Sequence, residues 1–182
     1  MRIARLGHLI AGTILVLGLA RSSPAQAPPG VGEGWPGEFD HASRQLLQLA
    51  EATPADKFAW RPAPGVRSIA EVYVHIAIAN QFLLEQAGAK PSVDLTKLGK
   101  NPEKSITDKA AVIKFLTQSF DAVRSAYRST DRQKKVQLFK KDVTADDVFL
   151  RILVHNNEHM GQAIAYARMN SIVPPWSAAR EQ

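Results

Sequence analysis

The segment His155-Asn156-Asn157-Glu158-His159-Met160-Gly161-Gln162 places two imidazoles four residues apart in a stretch that otherwise reads as a buried amphipathic helix. At about 100° per residue, His159 lies about 40° round from His155, and Gln162 and Tyr166 continue the same stripe. Polar groups aimed into a core are costly without partners, so this stripe needs its own members, a water or a cation to be tolerated. The rest of the fold has to bring that partner to it.

Helical periodicity recurs along the chain. From Glu38 to Thr53 the apolar residues Phe39, Ala42, Leu46 and Leu49 fall at helical spacing, and Pro54 ends the run. His41 falls on the opposite face and is expected to be exposed, not a ligand. Residues 54 to 67 are rich in proline but carry Phe58 and Trp60, so this connection is expected to pack back on the helices. Ser68-Ile69-Ala70-Glu71 matches a capping box and opens a second helix closed by Gly88. Its stripe of Val72, His75, Ile78, Ala79 and Phe82 is expected to face inward, which makes His75 the natural third partner for His155 and His159.

Residues 90 to 107 are polar, contain Pro91, Gly99 and Pro102, and read as a long crossover that allows the helices it joins to run parallel or crossed. A third helix is predicted from Asp108 to Tyr127, with Thr107 as its N-cap and Ile113, Leu116, Phe120, Val123 and Tyr127 inward. The basic cluster from Arg132 to Lys141 reads as a solvated loop. Thr144 and Asp147 then give a capping signal for the fourth helix, which carries Val148, Ile152, His155, His159, Ala163 and Tyr166 and stops before Pro174-Pro175. With no strand pattern long enough for a sheet, the expected fold is all-α, a four-helix bundle over residues 38 to 177 with a tail at 178 to 182.

Residues 1 to 25 read as an export signal, with Arg2 and Arg5 before the uncharged run Leu9 to Ala20 and small residues up to the cleavage site. Cleavage after Ala27 fits the Ala25-Gln26-Ala27 pattern but would leave Pro28 at the new N-terminus, so cleavage after Ala25 is favoured. The apolar run is about a dozen residues where a span needs about 20, so no stable membrane insertion is expected after cleavage. The protein is therefore expected to be periplasmic or secreted, with residues 26 to 37 as a flexible lead-in. A chain with no cysteine has no acylation site and no disulfides, so its stability must come from a packed core, which about 155 mature residues can supply. Without Arg2, Arg5 and Arg21 the 23 basic residues become 20 against 17 acids, a modest excess. Nucleic acid binding is not expected, because the basic cluster has no aromatic platform.

Three neutral imidazoles are a common donor set for zinc and also suit nickel or iron, and a three-protein-ligand site keeps a position open for water or substrate. Glu158, about 60° from His155 on the side away from His159, is either a nearby base or only a surface residue, and Gln162 and Tyr166 are candidates to orient a ligating ring. His155 to His159 also spells H-x-x-E-H, the inverted zincin signature. That class needs a further acidic ligand on a following helix, whereas only about 20 residues follow His159 here.

Trp60-Arg61-Pro62, Gly65-Val66-Arg67-Ser68 leading into Glu71-Val72 and His75-Ile76-Ala77, then His155-x-x-x-His159-x-Gly161-Gln162 and Tyr166-Ala167-Arg168-Met169-Asn170 before Pro174-Pro175-Trp176 together resemble the DinB/YfiT-like superfamily. The resemblance spans roughly residues 38 to 177. It implies an up-down-down-up bundle with a divalent metal held by one histidine of helix 2 and two of helix 4, which map onto His75, His155 and His159. Relatives include thiol S-transferases using bacillithiol, mycothiol or glutathione, isomerases and metal-dependent hydrolases. An export signal argues against the first group, since those thiols are chiefly cytosolic. The expected function is a metal-dependent hydrolase or transferase acting on a small molecule; the alternatives are a non-catalytic metal- or ligand-binding bundle and a structural or homodimer-forming bundle whose histidines merely satisfy each other.

Overall fold

The structure is a computed structural model and describes residues 27–178. The expected export signal over residues 1 to 25 and the tail beyond residue 178 lie outside the described residues. Four long helices form the bundle: α1 (Gly34–Ala52), α2 (Ile69–Gln86), α4 (Lys109–Ser129) and α5 (Ala145–Met169). Two short helices, α3 (Pro102–Ser105) and α6 (Pro175–Ala178), two 3-10 turns (Ala55–Lys57 and Leu95–Leu98) and a hairpin of β1 (Lys135–Leu138) and β2 (Lys141–Thr144) complete the regular elements among the described residues. No helix of the described residues is long and apolar enough to cross a membrane.

Side-chain contacts fix the helix directions. Trp35 at the start of α1 lies against Tyr127 near the end of α4, and Lys109 at the start of α4 donates to the carbonyls of Glu51 in the last turn of α1 and Thr53 just past it. These two helices therefore run antiparallel. The end of α2 at Gly88 abuts Lys134, just beyond the end of α4, so α2 and α4 run parallel, as the long crossover between them permits. The hairpin returns the chain, and α5 runs with α1. The result is an up-down-down-up bundle in which α2 packs between α4 and α5.

Local chemistry sets most element boundaries. The Ser68 hydroxyl accepts from the Glu71 N–H at 3.2 Å while the Ser68 N–H donates to the Glu71 carboxylate at 2.9 Å, which closes the expected capping box. Thr144 and Asp147 form a second one at α5. The N-cap of α4 is Asp108, whose carboxylate accepts from the Ala111 N–H, and not the expected Thr107. Gly88 stops α2 at φ 71°, a left-handed conformation that costs glycine little.

Three further features depart from the sequence reading. Helix α1 begins at Gly34, four residues early, because Trp35 stacks on Phe39 and Tyr127 and its indole N–H donates to the Phe149 carbonyl at 3.0 Å. The basic loop is in fact a β-hairpin, pairing Lys135 with Thr144 through Leu138 with Lys141 around a two-residue turn at Phe139 and Lys140, both at positive φ. Helix α2 is buried on nearly every side: Tyr73, Ile76, Ala77 and Leu84 are in the core, whereas the stripe of His75, Ile78 and Ala79 is only half-buried and Phe82 is 37% exposed. A helix with two long neighbours buries too wide a face for a single stripe to define it. Phe58 is buried and Trp60 packs edge-on against Tyr166, so the proline-rich connection does fold back as expected.

Candidate metal centre

Helices α2 and α5 lie side by side and antiparallel, which brings His75 opposite His155 and His159. Each ring offers one nitrogen, and these three atoms all lie within 4.8 Å of one another. The His75 and His155 Nε2 atoms are 3.2 Å apart. Zinc–imidazole bonds of about 2.0–2.1 Å give a tetrahedral ligand-to-ligand edge of about 3.3–3.4 Å, so this separation fits two ligands of one tetrahedral ion.

The outer nitrogens decide which atoms face the centre. His75 Nδ1 is 2.8 Å from Glu103 Oε1. An ionised carboxylate only accepts, so the His75 proton sits on Nδ1 and the Nε2 lone pair points inward. Glu103 is itself fixed by Arg67, whose Nε and Nη2 donate to its two oxygens at 2.7 and 3.3 Å. On the other helix His159 Nδ1 is 2.8 Å from Gln162 Oε1, and the Gln162 amide donates to the Tyr166 hydroxyl at 2.9 Å. With its NH2 turned to Tyr166, Gln162 presents its oxygen to His159, which places that ring's lone pair on Nε2 as well. His155 Nδ1 is buried without a hydrogen-bond partner among the described residues.

The electrostatics favour neutral rings. Burial lowers the His155 pKa to about 4, helped by the neighbouring His159, His75 and Arg151. Burial also lowers His75, against the opposing pull of Glu103. Burial pushes the Glu103 carboxyl up, but hydrogen bonds from Arg67 and His75 outweigh it and leave the group below the ordinary glutamate value. Metal ligation requires unprotonated imidazole, so His75 and His155 are already in the required state at neutral pH. Three clustered imidazoles, two of them kept neutral by burial and two held in rotation by a hydrogen bond at Nδ1, fit a divalent cation.

Glu103 escaped the sequence reading. It sits on the one-turn α3 within the crossover, where polar composition signals only a linker. The available signal was Asn101-Pro102-Glu103, a proline at the first helical position followed by an acid. Of the residues the sequence singled out, Gln162 and Tyr166 lie on the chain of hydrogen bonds to His159. Glu158 points outward and is paired with Arg151, its one hydrogen-bond partner among the described residues. His41 stays outside the cluster but is half-buried, where full exposure was expected. Two openings flank the centre: a polar cleft of about 920 Å³ bordered by Arg61, Arg67, Glu103 and Gln162, and an apolar pocket of about 360 Å³ bordered by His75 and His155.

A parallel-centred bundle with one histidine from its second long helix and two from its last defines a class of helical proteins with a three-histidine group on an inter-helix seam. Residues 38–163 match the family model of the DinB superfamily, and the chain belongs to that superfamily. Among solved structures it is similar to a DinB-like protein from Bacillus cereus, with a TM-score of 0.67 and 18% identity, over 79% of this chain and 95% of that one. It is also similar to the DinB-like protein YjoA from Bacillus subtilis, with a TM-score of 0.58 and 14% identity, over 76% of this chain and 93% of that one. At such identities the likeness speaks for the fold. No curated protein matches the sequence.

Proposed function

We propose that this protein is an exported, divalent-metal-dependent hydrolase or transferase acting on a small molecule, with His75, His155 and His159 as the metal ligands. The observation that carries this reading is the orientation of the rings: Glu103 and Gln162 engage the outer nitrogens, so the Nε2 lone pairs of His75 and His159 converge with His155 on one point. Structural histidines would satisfy one another through protons, yet two lone pairs facing a third ring leave room for only one such bond.

The bound cation would act as a Lewis acid, acidifying water or polarising a substrate. The chain's own contribution is to keep His75 and His155 neutral through burial, fix the rotation of His75 and His159 through Glu103 and Gln162, and leave an approach from the two openings beside them. The donor set suits zinc, nickel or iron. Export is supported by the basic start, apolar run and small residues of positions 1 to 25. The alternative of a metal- or ligand-binding bundle without turnover shares the same centre.

Elemental analysis of protein purified under metal-replete conditions tests the centre. We expect close to one divalent ion per chain, and a loss of affinity of more than about 100-fold in His75→Ala, His155→Ala and His159→Ala, with His41→Ala binding as wild type. Metal-free wild type, or full affinity in His75→Ala, would overturn the reading. Turnover of neutral ester and amide substrates that disappears on chelation and returns with metal separates the enzyme from the binding bundle.

A further inference from the structure

The apolar pocket beside His75 and His155 is built in a way that core packing does not explain. Its walls are Ile78, Ala79, Phe82 and Leu83 of α2, and its rim is Phe139 at the tip of the β-hairpin. Phe139 is 70% exposed and its backbone is left-handed, at φ 49°, a conformation that asparagine or glycine adopts far more readily. An aromatic side chain there is neither buried nor favoured by the turn. Its ring instead faces that of Phe82, itself 37% exposed, with centroids 6.0 Å apart and planes 27° from parallel.

The polar side of the pocket is confined to one end, where His75, His155, Glu103 and Arg151 meet the apolar walls. Arg151 is already engaged by Glu158, and Glu103 by Arg67 and His75, so neither charge is free to clamp an ion. We propose that the pocket is the substrate-binding site and that its ligand is a small uncharged molecule with a flat apolar group, held beside Phe82 and Phe139 with its polar end at the imidazoles. This rests on the proposed metal centre for the chemistry done at that polar end. A volume of about 360 Å³ admits a ring system of one or two rings and lies at the small end of ordinary ligand sites.

A second copy of the chain is the competing occupant. The exposed parts of the two phenylalanines together amount to roughly one side chain, about 150–250 Å². A stable dimer buries about 800 Å² per partner. The concave shape and the imidazoles at its base also suit a ligand better than a flat protein face.

The test uses prodan, an uncharged two-ring naphthalene probe whose fluorescence responds to apolar surroundings, titrated into the full mature protein with and without metal. We expect saturable binding of one probe per chain. Ala79→Trp, which fills the pocket, and Phe139→Ala, at an exposed tip where folding is not at stake, should each weaken it at least tenfold. His159 does not border the pocket, so His159→Ala should lose metal and keep the probe within about threefold. Wild type separates the two readings: there, metal binding without probe binding sinks the pocket alone, and probe binding without metal binding sinks the centre alone. The pocket assignment is overturned by absent or unsaturable binding, by binding indifferent to both pocket variants, or by a dimer in sedimentation that Phe139→Ala dissociates.

Discussion

Helix α5 presents two inner faces that solve burial in opposite ways. Toward α1 and α4 it offers Phe149 and Ile152 to a dry cluster of rings, in which Trp35 stacks on Tyr127 with centroids 4.0 Å apart and Phe39 meets Phe120 edge-on. Toward α2 it offers His155, His159, Gln162 and Tyr166, each satisfied only through a named polar partner or left waiting for one. Asn156 breaks the rule on the buried side: it is fully buried, and its amide has no partner among the described residues. Apolar burial stabilises without direction, whereas the polar seam stabilises nothing unless every group is correctly aimed. The first face holds the bundle together; the second can be given to chemistry.

Truncation on the dry face should give the largest effect on folding. Phe120 is fully buried in the ring cluster, so Phe120→Ala should cost about 3–5 kcal/mol through lost burial and the cavity left behind. Metal affinity per folded chain should stay unchanged. Urea unfolding at neutral pH measures the first and chelator competition the second; a cost below about 1 kcal/mol, or a parallel loss of metal, would show that the two faces are not independent.

On the polar seam the effect should fall on affinity instead. Glu103→Gln keeps the shape of the side chain but removes the charge that fixes the His75 tautomer and pairs with Arg67. Loss of such an orienting carboxylate typically weakens metal binding about 10–100-fold. Chelator competition reads this directly, and affinity within twofold of wild type would mean that His75 orients itself without help.

How much of this was legible in the sequence follows the same division. The capping boxes at Ser68 and Thr144 and the periodicity of Phe39, Leu46 and Leu49 are local signals, and the helices formed where they point. The three histidines were legible because they are rare polar groups on apolar stripes. Glu103 was not, since its role depends on a crossover folding against α2, which no spacing encodes. The hairpin was hidden because Phe139-Lys140 lacks the Asn-Gly pair that announces such turns. The orientation of α2 was read only in part, because a helix apolar on all sides carries no directional signal: of the expected inner stripe Val72 is in the core, whereas His75, Ile78, Ala79 and Phe82 line an open pocket.

The pH dependence of the metal-free protein gives a finer separation. His155 has a folded pKa of about 4 and His75 is also lowered, against about 6.5 in the unfolded chain. Between those values the unfolded state binds the extra proton, so stability is fully present above about pH 6.5 and declines as pH falls toward about 4. Urea midpoints for wild type should drop across that window, and His155→Ala should flatten the drop. Phe120→Ala should lower the whole curve without changing its slope there. An equal slope in wild type and His155→Ala would contradict the burial of a neutral ring.

The smallest effect belongs to the outer side of α5. Glu158 is 53% exposed and its carboxylate is lowered first by its hydrogen bond with Arg151, with His155 and His159 the smallest contributors. An exposed ion pair of this kind is worth about 0.2–1 kcal/mol, so Glu158→Gln should change stability by no more than about 0.5 kcal/mol and leave metal affinity as in wild type. The H-x-x-E-H reading makes the opposite demand, because there the glutamate must work at the metal and its amide would abolish hydrolysis. Turnover by Glu158→Gln at a rate near wild type would retain His155 and His159 as ligands while removing the glutamate from the chemistry. Complete loss of turnover with metal still bound would move Glu158 from the solvent face into the reaction, and the division between the faces of α5 would have to be redrawn.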